Sequence, residues 1–115
     1  MTFDPNDFKR AMGQFASGVT VVTSKHGETP IGITASSFTS LSLDPPLVLV
    51  SLNKKLFTHN VIAESGYFAV NVLSARQLEI GMRFAGMKPE IKDRFAGLKT
   101  HTAVTGSPLL PDSLA

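Results

Sequence analysis

The tightest constraint on this chain is a pair of strand-forming runs with almost nothing between them. Val19–Thr23 is β-branched or hydroxylated and β-branched at every position, which suits a pleated, half-buried surface. His26-Gly27-Glu28 reads as a turn, and Ile31–Phe38 reads as a second strand. A parallel crossover needs a dozen or more residues, so these two strands form an antiparallel hairpin. A doubly wound parallel sheet is thereby disfavoured. Gly32 falls inside the second strand, which points to a bulge or to the close approach of something flat.

The remaining elements follow from the same kind of reading. Asp4-Pro5 is a helix start, with Asp4 as cap and Pro5 in the first turn. Phe8, Met12 and Phe15 form one apolar stripe, expected to pack on a sheet, with Gly18 as the stop. Thr39–Asp44 is polar and alternating, and Pro45-Pro46 prevents its continuation as a central strand. Leu47–Leu52 is nearly all apolar and reads as a buried core strand. Thr58–Glu64 is a short helix capped by Thr58 and closed by Gly66. Tyr67–Leu73 is another strand. Ser74 caps a helix over Ala75–Phe84, residues 86–97 form a charged loop, and Leu98–Val104 is a last strand before a turn-rich tail. Strands dominate and the helices are short, so the expected architecture is a mainly β barrel with peripheral helices.

The 115 residues make one domain, 1–115. The composition, 43% hydrophobic and 17% charged, is that of a globular chain and not of a disordered one. A formal charge of +2 is too small to indicate nucleic acid. The excess positive charge is concentrated in Arg83, Lys88, Lys92, Arg94 and Lys99, against Glu90 and Asp93. That loop either attracts an anionic nucleotide or is simply solvated. The absence of cysteine excludes disulfides and thiolate chemistry. MTFDPNDF lacks the marks of a secretory signal, and no apolar run approaches the roughly 18 residues of a membrane span. The expectation is a cytoplasmic protein with no membrane and no nucleic-acid partner.

Several chemistries are missing. The glycines build neither GxGxxG nor a P-loop. His26, His59 and His101 lie far apart without cysteines, so no metal site is expected. There is no GxSxG elbow and no candidate pair of carboxylates for acid–base work. Any hard chemistry therefore belongs to a bound cofactor. The stretch Gly32–Asn53 is suited to one: a strand of small and hydroxyl residues, able to receive a flat ring, leads to a polar, cationic corner at Ser51–Lys55 and Thr58.

The segments FASGVTVVT (15–23), GITASSFTSLSLDPPLVLVSLN (32–53), Thr58, FAVNVL (68–73), RFAG (83–86), DRFAG (93–97) and TGSPLL (105–110) together resemble the flavin reductase family. These are FMN-binding split barrels that supply reduced flavin to two-component monooxygenases. The resemblance implies a split β-barrel, a homodimer, and reduction of FMN or FAD by NADH or NADPH for a monooxygenase component. It implies that Thr34, Ala35, Ser36 and Ser37 lie along the isoalloxazine edge, and that backbone N–H groups there meet the ring. Ser51, Leu52 and Asn53 would run under the ring and ribityl chain. Thr58 would hold the phosphate at a helix start, with Lys54 or Lys55 either near it or solvated. Phe84, Ala85 and Gly86 would lie near the adenine or diphosphate in members that bind FAD. No catalytic side chain is implied.

Family members continue past TGSPLL with more strands, including a GDH-type motif near flavin and nicotinamide. The expectation is a domain incomplete at its C-terminus, either a truncated product, or one whose missing strands a partner supplies, or one with an exposed edge, and the nicotinamide half of the site depends on those strands. Two other readings stand beside the reductase: a non-catalytic flavin-binding module or truncated subunit needing a partner chain, and an interaction protein that dimerises through an exposed sheet edge without cofactor.

Overall fold

A computed structural model describes residues 2–15 and 17–115. Met1, and Ala16 of the FASGVTVVT segment, lie outside the described residues. The elements are α1 (Pro5–Gly13), β1 (Thr20–His26), β2 (Thr29–Ala35), β3 (Phe38–Ser42), β4 (Leu47–Val50), α2 (Phe57–Ser65), β5 (Ala69–Val72), a 3₁₀ turn (Ala75–Gln77) and α3 (Leu78–Phe84). The β1–β2 hairpin forms as expected, turning at Gly27-Glu28, where Gly27 takes φ +62°. A positive φ of this kind suits glycine.

β1 is the middle strand of a three-stranded antiparallel sheet, order β2-β1-β5. Thr20–Ser24 are all buried, because both faces of β1 are covered. Alternation along the strand separates the two coverings. On one face Val21 packs with Phe84 and Leu110, flanked by Leu73, Ile80, Phe95 and Leu98. On the other, Ser24 Oγ donates to the Tyr67 carbonyl at 2.9 Å and lies 3.3 Å from Ser65 Oγ at the end of α2.

Several buried polar side chains are paired across the sheet. Asn71, on β5, donates through Nδ2 to the Val21 carbonyl at 3.0 Å and accepts from the Leu110 N–H at 2.9 Å. Thr23 Oγ1 donates to the Pro108 carbonyl at 2.5 Å. These bonds bring the chain's tail against the sheet. The Leu114 N–H donates to the Val72 carbonyl at 2.8 Å, and the Val72 N–H to the Ala115 carbonyl at 2.7 Å. Asn71 thus has the structural role of satisfying backbone groups.

The barrel expectation is met in part. β3 and β4 pair with each other and form a second, two-stranded sheet, so the described residues do not close a barrel. The fold is mainly β with three short α-helices. Leu47–Leu52 is accordingly not a buried core strand. Leu47, Val48 and Leu49 are exposed, Leu49 by 50%, because no third layer covers the hairpin. α1 differs in the same way. Asp4 caps it by accepting from the Asn6 N–H at 2.9 Å, but it buries no residue, and Phe8, Met12 and Phe15 face outward. It ends at Gly13, with Gln14 as cap, well before Gly18.

Three further expectations shift. Thr58 is not the cap of α2; Leu56 holds that position without a side-chain hydrogen bond. Gly66 does close the helix, with φ +78° and its N–H on the Ile62 carbonyl. Ser74 forms a capping box with Gln77, but on the 3₁₀ turn that leads into α3. Leu98–Val104 is not a strand and contributes only a bridge between His101 and Leu109. Its polar, alternating residues find no neighbouring strand to pair with.

Candidate functional site

Three separate clefts take in Thr58, Thr34 with Ala85, and Ser51 with Leu52, whereas Ala35, Ser36, Ser37, Asn53, Phe84 and Gly86 line none of the three. The first runs along β2, between the start of α2 and residues 92–95. It holds about 560 Å³, with Gly32, Ile33, Thr58, Lys92 and Arg94 among its walls. The second, about 420 Å³, is apolar and lies between β2 and α3, with Thr34, Gly81, Met82, Ala85 and Met87 around it. The third, about 580 Å³, lies between β4 and α2 and includes Ser51, Leu52, His59 and Phe68.

The ring-edge candidates sit where β2 hands over to β3. Thr34 Oγ1 donates to the Gly81 carbonyl at 2.6 Å, tying β2 to α3. Ala35 is buried, and its carbonyl accepts from Thr20 Oγ1 at 2.6 Å. Ser36 and Ser37 lie between the two strands and are exposed. Ser37 reaches across to the other candidate segment: its Oγ donates to the Ser51 carbonyl at 2.7 Å, and its carbonyl accepts from the Ser51 N–H at 3.0 Å. The structure therefore brings Ser37 and Ser51 together. Asn53 builds the corner before α2, with Oδ1 accepting from the Lys55 N–H at 2.9 Å and its carbonyl from the Leu56 N–H at 3.0 Å.

Thr58 occupies the first turn of α2 and is only 7% exposed. Among the described residues its hydroxyl has no hydrogen-bond partner. Phe84 is placed differently from the expectation. Its side chain is wholly buried and meets Phe95 edge-on, ring centroids 4.9 Å apart. Its carbonyl is buried with it and accepts from Arg94 Nη1 at 3.0 Å. Ala85 and Gly86 follow as the exposed end of α3, with Gly86 at φ +78°.

The late basic segment divides into two kinds of residue. Arg83 donates to the Ala96 carbonyl at 2.8 Å and pairs with Glu79 at 2.9 Å. Arg94 donates to the Gly32 carbonyl at 3.1 Å as well as to Phe84. Both arginines staple the 86–99 loop onto the body of the domain. Lys92 instead lines the first cleft, and charge alone did not separate it from its neighbours.

Residues 12–115 match the Flavin reductase like domain, and the chain belongs to that family. It is 41% identical over 112 residues to a Mycobacterium tuberculosis protein named flavin-dependent monooxygenase, reductase subunit HsaB, covering 97% of this chain and 58% of the relative. It is 43% identical over 108 residues to FMN reductase (NADH) SmoA of Agrobacterium fabrum, covering 94% of this chain and 60% of the relative. Among solved structures it resembles nitrilotriacetate monooxygenase component B from Mycobacterium thermoresistibile, with a TM-score of 0.88 and 40% identity, over 95% of this chain and 59% of that one. The chain thus spans somewhat over half the length of these relatives. Among the described residues no helix is long and apolar enough to cross a membrane.

Proposed function

We propose that this chain binds FMN or FAD and carries the flavin half of an NADH- or NADPH-dependent flavin reductase, whose reduced flavin goes to a monooxygenase component. The observation that carries this reading is the pairing of Ser37 with Ser51, which joins the two candidate segments. The chain's residues fit a flavin on the chemistry of that donor set. Ser36 and Ser37 stand outside both strand ladders, leaving their N–H groups available to a ring edge. The opening N–H groups of α2 and the unpartnered Thr58 hydroxyl suit a phosphate.

When bound, the flavin supplies the ring that accepts hydride from the nicotinamide. The chain's own part is positioning and electrostatics. N–H groups of 36 and 37 would favour negative charge on the ring edge. Ser51, Leu52 and Asn53 would support the ring and ribityl chain. Ala85 and Gly86, which follow the buried Phe84, would border the adenine or diphosphate of FAD. The names of HsaB and SmoA support the reductase reading. A homodimer would cover α1 and the β3–β4 hairpin, and a cytoplasmic setting fits the nicotinamide cosubstrate. The relatives' greater length favours a second reading, a flavin-binding part that does not oxidise NADH unaided.

Titration of the protein with riboflavin, FMN and FAD, followed by NADH and NADPH oxidation with each flavin, tests both. Flavin binding with flavin-dependent NAD(P)H oxidation is expected for the reductase. Binding without oxidation selects the second reading, and absence of binding removes both.

A further inference from the structure

We infer that residues 87–96 form a strap hinged at two glycines, and that Arg83 is the latch that holds it shut as one wall of the first cleft. The inference goes beyond the flavin reading and does not depend on it.

The backbone of this segment is tied almost entirely to itself. The Met87 N–H closes the end of α3 on the Met82 carbonyl at 3.0 Å. After it, the backbone bonds among the described residues are short-range turns. The Ile91 N–H donates to the Lys88 carbonyl at 3.0 Å, the Ala96 N–H to Asp93 at 3.1 Å and the Leu98 N–H to Phe95 at 3.0 Å. None of them joins a strand, and a segment bonded in this way can open without the sheet. Both ends carry a glycine in the left-handed region, Gly86 at φ +78° and Gly97 at φ +76°. L side chains enter that region only at a cost, and a few such terminal positions suffice for a hinge.

Side chains hold the strap down. Arg83 reaches in from α3: its Nη1 donates to the Arg94 carbonyl at 3.3 Å and the Ala96 carbonyl at 2.8 Å, while Nη2 pairs with Glu79 at 2.9 Å. Arg94 reaches out from the strap to the Gly32 and Phe84 carbonyls. The two staples act in series, because Arg83 fixes the backbone from which the Arg94 side chain departs. Phe95 adds its edge contact with Phe84. With the strap in place, Arg83 Nε is buried and has no hydrogen-bond partner. A buried donor left so is costly, and lifting the strap would return it to water. The shut state thus holds a penalty that opening relieves.

The consequence falls on the first cleft. Lys92, Asp93, Arg94 and Phe95 are its wall on the side away from Thr58. Arg83 does not border the cleft. It is a positioning residue that sets the width of the cleft through the strap.

Native-state hydrogen exchange tests this on the unmodified protein, Arg83→Met, Gly97→Ala and Gly27→Ala. Arg83→Met should speed exchange of the Ile91, Ala96 and Leu98 amides about tenfold, the size of one lost charge-assisted hydrogen bond, with the β1 amides unchanged. Gly97→Ala should act in the same place by another cause. A Cβ there meets nothing within 4 Å, so only the strained φ opposes the shut state, and the rise should be about fivefold. Gly27→Ala brings a comparable strain to the β1–β2 turn, again with nothing within 4 Å, and should leave the strap amides at the unmodified rate. If Arg83→Met does not fold, Arg83→Lys is read in its place, since its ammonium lacks the fork that spans two carbonyls. Strap and β1 amides that speed up together would show that the segment opens only with the whole domain, and would overturn the strap. Strap rates unchanged in Gly97→Ala would overturn the hinge. A rise in Gly97→Ala but none in the Arg83 variants would remove Arg83 as the latch.

Discussion

Gly32 and Phe84 compete for one volume. A Cβ at position 32 would lie 2.9 Å from Phe84 Cε1 and 3.0 Å from Cδ1, with Phe95 Cζ at 3.3 Å. The flat group that approaches Gly32 is thus the chain's own phenylalanine. No bulge is involved, since the β1–β2 register runs unbroken from Thr20↔Ala35 to His26↔Thr29. Gly32→Ala should destabilise the fold by about 1–3 kcal/mol, the usual cost of overpacking. Because the clash is with a wholly buried ring, combining it with Phe84→Leu should cost less than the sum of the two changes. Urea denaturation of the three variants measures this, and strict additivity would show that the clash is relieved elsewhere.

The same pair shows what was legible in the sequence. Gly32 signalled a close approach, but its partner lies 52 positions later on another element, and a local pattern does not name it. Local signals worked where local physics decides: the Gly27 turn, the Asp4 cap and the Gly66 stop. They failed where burial depends on a third layer. Leu47–Leu52 and the Phe8–Met12 stripe are apolar enough to be core, yet no element of the described chain covers them. For the site, the Ser36–Ser37 and Ser51–Asn53 corners were visible as motifs, and the structure joins Ser37 to Ser51. Lys92 was not distinguished, because the roles of Arg83 and Arg94 emerge only from the carbonyls they reach.

Asn71 joins three segments through one amide. Replacing it by leucine would leave the Leu110 N–H without its partner and remove the bond to the Val21 carbonyl. The expected loss is about 1–3 kcal/mol for each buried group left unsatisfied. Hydrogen exchange should show the Leu110 amide losing protection first. Retention of that protection would mean that another acceptor takes over.

Thr58→Val separates a ligand role from a structural one. The hydroxyl has no partner among the described residues, so its removal should leave the thermal midpoint within about 1–2 °C, as for a change well under 1 kcal/mol. FMN affinity should fall about tenfold while riboflavin is unaffected, since only FMN carries the phosphate. Equal losses for both flavins would remove Thr58 from the phosphate site.

Arg94 should behave in the opposite way. Its Nη1 holds the Gly32 and Phe84 carbonyls together, so Arg94→Met should cost about 1–3 kcal/mol by leaving both without their charged donor. The ratio of FMN to riboflavin affinity should stay as in the unmodified protein. A changed ratio at full stability would assign Arg94 to the ligand rather than to the loop.

The exposed apolar groups lead to the last prediction. Leu49 is 50% exposed on β4 and Phe8 54% exposed on α1, both on elements that the rest of the chain leaves uncovered. If a second copy covers them, Leu49→Glu and Phe8→Glu place a charge in the contact and should drive the protein to monomer. Neither change removes an intrachain contact of a buried residue, so the monomer's own stability should move by no more than about 0.5 kcal/mol. Sedimentation velocity at micromolar concentration reads the outcome. A single dimer boundary for the unmodified chain and a monomer boundary for the variants are expected, whereas a monomeric unmodified chain would overturn the dimer.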